Sequence, residues 1–286
     1  MNYWLTGNTG TNKIALLSGR FESVCLDRVN NNSTVVYPDY TPFMSLNDGR
    51  ENLPRLLLEK KSLLVKDNDY LKHLSDFYSP PANNRLGDKN TVEFGFDQSK
   101  EEIFDAALEF FISNNSFVVD IFKSIVKNII PMRTIESEVR KEGVGNSNRE
   151  SIGALYLSAP SAEPKHLQLA INIAHEVGHQ ALMLYQTSDS IIHPAELTRN
   201  VYSAVRRTDR PAIQSFHALV AVVYMRDFVN SIDLSKLNDS EKNFIERQHI
   251  QFIGWLKANI WDFKKITFTN IGKMIYDELF DYIESI

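Results

Sequence analysis

The sequence predicts a mainly α-helical, α+β fold: a helical bundle around one buried helix, with a small β element before it. Long segments of the C-terminal half carry apolar residues at three- and four-residue steps, which is the period of an amphipathic helix. Two short apolar segments, 129–135 and 151–158, are followed or preceded by polar, glycine-containing residues, as strands are. Because the two lie close in sequence, they are predicted to pair as a small sheet.

The central helix is predicted to open within 160–164 and to end near Gln186. Between Leu167 and Met183 its only charged side chain, apart from two histidines, is Glu176. A helix that faced solvent would carry several lysines or glutamates, so this helix is predicted to be buried.

The remaining chain is predicted to be mixed at its start and helical later. Residues 1 to about 50 are expected to hold short strands or buried pieces at 13–17 and 33–37, with a turn at 30–32, and 141–150 is expected to be a loop. Helices are predicted at about 52–65, 67–78, 99–112, 117–126, 212–228, 240–260 and 269–284.

Structure-breaking residues cluster in Ser79-Pro80-Pro81-Ala82-Asn83-Asn84. Proline and glycine clusters of this kind interrupt regular structure. They predict a boundary between an N-terminal mixed region, 1–95, with a possible role in peptide recognition, and a helical metal-binding domain, 96–286. A long surface loop is the alternative.

Composition excludes several classes of partner. The formal net charge is −5 in 286 residues, so there is no basic footprint for nucleic acid or an anionic membrane. No uncharged apolar run approaches the roughly 20 residues of a membrane span, and Met1–Gly7 does not resemble a secretion signal. The single cysteine, Cys25, allows no internal disulfide. A cytoplasmic protein is therefore expected, while its oligomeric state is left open.

The central helix carries His175-Glu176-Val177-Gly178-His179. Histidines four residues apart on a helix lie one turn above each other, so they can bind one metal ion. Glu176 beside them could act as a base or could orient a ligand. Such a pattern also occurs by chance, and buried histidines can be ordinary core residues. The uncharged flanks favour the metal site.

A metal held by two histidines needs a further protein ligand. Four downstream residues are candidates: Asp189, His193, Glu196 and His217. His217 is favoured over Glu196 because it lies in a second helix that is almost free of charge. The other histidines are predicted to be surface or core residues: His73, His166 and His249.

Two arginines, Arg206 and Arg210, stand just before that second helix. They could be solvated charges. Alternatively, one of them could bind a carboxylate near the metal, because a guanidinium offers two parallel donors.

These features together resemble the 2-oxoglutarate-dependent peptide β-hydroxylases, the family of His-Glu-x-x-His peptide-modification proteins that act on ribosomally made peptide natural products. The resemblance covers about residues 150–230. It rests on four segments: Gly153–Ser158, His175–His179, Arg206–Pro211 and Phe216–Ala218. The chain departs from the family pattern at Val205, where an aromatic is usual, and at Ala218, where glycine is usual; the first 150 residues show no matching motif.

The resemblance implies a set of roles. Iron(II) would be bound by His175, His179 and His217, and 2-oxoglutarate would bind the iron while Arg206 or Arg210 pairs with its distal carboxylate. The substrate would be a precursor peptide, hydroxylated at a carbon, with the β-carbon favoured. Glu176 would then orient a ligand or bind the metal itself.

A zinc metallopeptidase is the main alternative. There Glu176 would act as general base on a zinc-bound water, and Glu196 as third ligand would support that interpretation. A binding module with a structural metal is less favoured, because structural zinc sites usually have four ligands, often cysteines.

Overall fold

In the computed structural model, residues 4–32, 63–77, 92–134, 145–147 and 152–286 are described. They form the predicted mainly α-helical, α+β fold. The helices are α1 (Gly7–Asn32), α2 (Asn68–Phe77), α3 (Glu101–Ser113), α4 (Phe117–Ile125), α5 (Lys165–Gln186), α6 (Ala212–Asn230), α7 (Asp239–Asn259) and α8 (Asn270–Glu284). The strands are β1 (Val92–Phe94), β2 (Asn128–Thr134), β3 (Gly145–Asn146), β4 (Ala154–Leu157), β5 (Asn200–Ser203) and β6 (Thr208–Pro211).

The described residues fall into two compact units, each discontinuous in sequence. One lies within Met1–Leu17, Asn114–Ser124 and Val177–Ile286, and the other within Ser18–Ser113 and Ile125–Glu176. The division near residue 95 that was drawn from the sequence stays a prediction. Among the helices of these described segments, none has the length and apolar content needed to cross a bilayer.

A four-stranded sheet of order β1-β2-β4-β3 forms the β part of the second unit. The two strands predicted from sequence, β2 and β4, pair as expected, and their pairing is parallel. The prediction of a loop over 141–150 is wrong at Gly145–Asn146, which forms the edge strand β3 antiparallel to β4. Strand β1 was not predicted from the sequence and pairs antiparallel with β2.

In the N-terminal region, the predictions of a short strand at 13–17 and of a turn at 30–32 are wrong, while Ile14 is buried as a buried piece would be. Helix α1 covers both the short strand expected at 13–17 and the turn expected at 30–32. The buried residues of its first turns recur every four positions, at Gly10, Ile14 and Ser18. Because two of these three are small and not strongly apolar, the helical period is faint in the sequence. The expected strand at 33–37 lies outside the described residues.

The helix expected over 52–65 is described only at its end. There Leu64 forms a parallel bridge with Ile129 instead of a helical turn. The breaker-rich segment 79–84 lies outside the described residues.

The C-terminal helices match their predicted ranges, and local capping explains why. Helix α6 begins directly after Pro211, whose missing N–H costs nothing at a helix start. Asn238 and Glu241 form a capping box at the start of α7. Thr269 caps α8, accepting a hydrogen bond from the N–H of Gly272.

The segment before α1 is anchored by the buried carboxylate of Glu278 in α8. This carboxylate accepts hydrogen bonds from the backbone N–H groups of Trp4, Leu5 and Thr6. The hydroxyl of Tyr185 donates to the carbonyl of Trp4, and that of Tyr224 donates to the carbonyl of Leu5.

Both tyrosine hydroxyls stay protonated in this arrangement. Burial raises the pKa of Tyr185 and of Tyr224, and the negative charge of Glu278 raises each pKa further. As protonated hydroxyls they act as permanent donors to the two carbonyls. The backbone of residues 4–6 is therefore bonded through both its donors and its acceptors.

We expect Glu278→Gln to destabilise the protein by about 2 kcal/mol, because hydrogen bonds to a charged group are the strong ones. The amide would also place an NH₂ donor against backbone donors. Urea denaturation measures the loss. Glu284→Gln on the exposed side of the same helix is the matched control, and equal stability of the two variants would contradict this anchoring role.

Candidate metal centre

Helix α5 is buried as predicted, except for one stripe. From Leu167 to Gln186 every residue is buried apart from six that recur at three- and four-residue steps. Residues at these steps share one helix face. The six are Gln168, Asn172, His175, His179, Met183 and Gln186. The two motif histidines therefore lie on the only accessible face of this helix, where a ligand can reach them.

His217 is similarly placed on α6. It is the only residue between Ser215 and Met225 that is not buried. Its Nδ1 lies 3.4 Å from Nδ1 of His179, and the two ring centroids are 5.5 Å apart. The structure thus brings together two of the three histidines predicted as ligands, from two different helices.

Gly178 explains how the helices carrying this pair come so close. A Cβ at Gly178 would lie 2.8 Å from the Cα of Ala221 and 3.2 Å from the Cβ of Tyr224. Real Cβ atoms do not approach backbone atoms that closely, so only glycine fits. Ala221 is one turn beyond His217, and Gly178 directly precedes His179. The glycine inside the motif therefore sets the spacing at which the two imidazoles meet.

The other ring nitrogen of His217 is also occupied. Its Nε2 lies 2.8 Å from Oε1 of Gln186, on the same accessible stripe as His179. Sequence reasoning missed Gln186. Its spacing of seven residues from His179 was a usable signal, because residues seven apart share a helix face.

Glu176 lies away from the accessible stripe and is 1% exposed. The hydroxyl of Ser147 donates to its Oε2 at 2.5 Å, and a Cβ at Gly145 would lie 2.5 Å from its Oε1. Its Oε1 is 3.9 Å from Nε2 of His175, which is beyond hydrogen-bond length. The carboxylate is therefore held against strand β3, in the interior of its unit.

The other predicted ligand candidates have different partners. Glu196 bonds to Arg199 and Thr267, and the Arg199 guanidinium is the main reason that its pKa is lowered. Asp189 accepts from the N–H of Ile191 and from the hydroxyl of Thr269. His193 caps a short 3-10 helix. The hydrogen bonds of these residues stabilise the connection between α5 and β5.

Two of the remaining histidines lie on other surfaces of the described chain. The ring of His166 packs edge-on against Phe110. His249 lies on α7, where burial lowers its pKa.

The predicted arginines lie on a hairpin, formed by β5 and β6, that the sequence did not reveal. Its turn lacks the usual Asn-Gly signal, and Arg207 adopts the left-handed conformation at φ 53° instead. Arg206 is exposed in this turn. Arg210 stands at the base of the hairpin, where its guanidinium donates to Gln214 Oε1 at 2.9 Å. Gln214 precedes His217 by three residues, so it lies on the same side of α6.

As arranged in the described parts of the chain, no group of three or more His, Cys, Asp or Glu side chains could hold a metal ion. What the structure assembles is the pair His179 and His217, with His175 four residues before His179 on the same helix. Comparisons with protein-family models and with curated proteins find no match for this chain.

We expect Gly178→Ala to separate α5 from α6 and to destabilise the protein by about 1–3 kcal/mol, as overpacking does. Gly254→Ala on α7 is the matched control, because a Cβ there meets nothing within 4 Å. That change should be neutral or stabilising by up to about 1 kcal/mol. Chemical denaturation checks both values. Equal effects of the two alanines would show that the helix contact does not need glycine.

Proposed function

We propose that this protein is an iron(II)- and 2-oxoglutarate-dependent oxygenase that hydroxylates a carbon, with the β-carbon favoured, in a ribosomally made peptide. The observation that carries the proposal is the approach of His179 and His217, on two largely buried helices, to a distance of 3.4 Å between their Nδ1 atoms. The resemblance of the sequence supplies the reaction class.

The pair fits two ligands of one metal ion. With metal–nitrogen bonds of about 2.0–2.1 Å, two imidazole nitrogens on the same ion are roughly 3.0–3.4 Å apart. The resemblance of the sequence supplies His175 as the third ligand in this proposal, and its side chain is 23% exposed. Three histidine ligands leave open positions on the metal for small molecules.

Iron(II) with 2-oxoglutarate and dioxygen would supply the oxidation of C–H to C–OH, with release of succinate and carbon dioxide. The chain's own residues bind and shield the reactants. Arg210 is the better placed arginine for the distal carboxylate of 2-oxoglutarate, since its partner Gln214 lies on the His217 side of α6.

The burial of Glu176 weighs against a zinc metallopeptidase. A general base must lie within hydrogen-bond reach, directly or through one water, of the proton that it removes. The carboxylate of Glu176 is instead buried and accepts a hydrogen bond from Ser147. This position fits a residue outside the set of metal ligands, held by its own hydrogen bond from Ser147.

We expect His217→Ala to abolish binding of iron(II) or cobalt(II), because it removes one of two imidazoles that already face each other. Glu196→Ala is the control and should keep metal binding, since Glu196 is held in an ion pair with Arg199. Equilibrium dialysis with each purified protein measures the bound metal. Loss of metal in the Glu196 variant alone would favour the peptidase.

The reaction class is tested with purified protein, iron(II), ascorbate, 2-oxoglutarate and peptides from neighbouring genes. Succinate formed in proportion to a peptide product heavier by one oxygen atom supports the proposal, and Glu176→Gln should retain this turnover. Zinc-dependent peptide cleavage that Glu176→Gln abolishes, without any succinate, would overturn it.

We expect Arg210→Ala to raise the 2-oxoglutarate concentration for half-maximal turnover by roughly 10- to 150-fold, the equivalent of about 1.5–3 kcal/mol for a lost charge-assisted hydrogen bond. Arg206→Ala, four residues earlier in the exposed turn, is the matched control and should change it little. Initial rates of succinate formation measure both. If neither variant differs from the wild type, no carboxylate clamp operates here.

A further inference from the structure

Gln186 connects the helix of the histidine motif to His217 on the next helix. Its amide oxygen lies 2.8 Å from Nε2 of His217. It is the last residue of α5 and follows His179 by seven positions, so both side chains lie on the same accessible face. The contact is half-buried, where a hydrogen bond is less exposed to competition from water.

The amide oxygen of Gln186 determines which ring nitrogen of His217 carries the hydrogen. An amide oxygen can only accept, so Nε2 of His217 must bear the hydrogen. In the neutral ring, Nδ1 then holds a lone pair, and this nitrogen faces Nδ1 of His179 at 3.4 Å. The side of His217 that meets the other histidine is therefore its metal-binding side.

We propose that Gln186 is a positioning residue for the metal site: it holds His217 in the Nε2–H tautomer and orients its Nδ1 toward the metal. This inference rests on the proposed function. Histidine ligands commonly donate their second N–H to an oxygen acceptor, and losing that acceptor typically weakens metal binding by 10- to 100-fold. Gln186 acts through His217 and is not itself a ligand.

The first test reads the tautomer in the metal-free protein. Long-range ¹H–¹⁵N NMR of histidine-labelled wild type should show His217 with its hydrogen on Nε2. Gln186→Met keeps the chain length and removes the acceptor, so it should yield a mixture of both tautomers. A wild-type His217 with its hydrogen on Nδ1 would overturn the inference, whatever the protein's activity.

The second test measures the affinity of the protein for cobalt(II) and the visible spectrum of the bound ion. We expect Gln186→Met to bind cobalt(II) about 10- to 100-fold more weakly, with a changed spectrum, and Gln186→Glu to restore the wild-type spectrum. Gln168→Met is the matched control, being a glutamine on the same stripe of the same helix. Thermal unfolding of each metal-free variant shows that it is folded.

The outcomes separate the two proposals. If the wild type binds no cobalt(II), the metal site fails, and the positioning role fails with it. If the wild type binds cobalt(II) and Gln186→Met matches it in affinity and spectrum, the metal site stands while the role of Gln186 is refuted.

Discussion

The proposed metal site depends on the close packing of two helices at Gly178. Interiors are packed so densely that one added methyl group moves neighbouring backbone. With Ala221 against Gly178, α5 and α6 approach closely enough for His179 and His217 to share one small space. The glycine between the motif's glutamate and second histidine thus has a physical function of its own. It allows a histidine on α5 to approach a histidine on α6.

The N-terminal segment supports this packing from the side of Tyr224. The Tyr224 side chain meets Gly178, and its hydroxyl donates to the carbonyl of Leu5. Glu278 then holds the backbone N–H groups on either side of that carbonyl. A segment about 170 positions before the motif therefore takes part in fixing the helix that carries His217. Such a contact cannot be anticipated from local sequence, because each of its hydrogen bonds joins segments far apart in the chain.

Periodicity explains what the sequence could predict. The long apolar stripes of α5, α6 and α7 identify those helices, and the Thr269 cap is recognised from its position. Helix α1 was not predicted because its buried stripe includes Gly10 and Ser18, which are not strongly apolar. The hairpin before α6 was not predicted because Arg207 adopts the left-handed conformation at a position where glycine or asparagine would indicate a turn.

Helical periodicity also explains which residues of the candidate site could be predicted from the sequence. The histidines stand out because an uncharged helix has few polar side chains, and these recur at helical steps. Gln186 belongs to that stripe and its spacing from His179 places it there, but it carries no charge and no metal-binding pattern, so its contact with His217 was not predicted. Ser147 and Gly145, which hold Glu176, lie in a segment whose strand exists only through its pairing with β4.

The chemistry open to the motif therefore depends on whether its glutamate faces the ligand or the protein interior. In His-Glu-x-x-His, the glutamate follows the first histidine by one residue, so on a helix it points about 100° away from the histidine face. A carboxylate that faces the cleft can remove a proton from a metal-bound water, whereas one that faces the interior must be held by donors. Here Ser147 donates to Glu176 and strand β3 covers it through a glycine. Of the polar side chains in this five-residue motif, the two histidines lie on the accessible face of α5 and the glutamate is buried, and the oxygenase that we propose needs only the histidines.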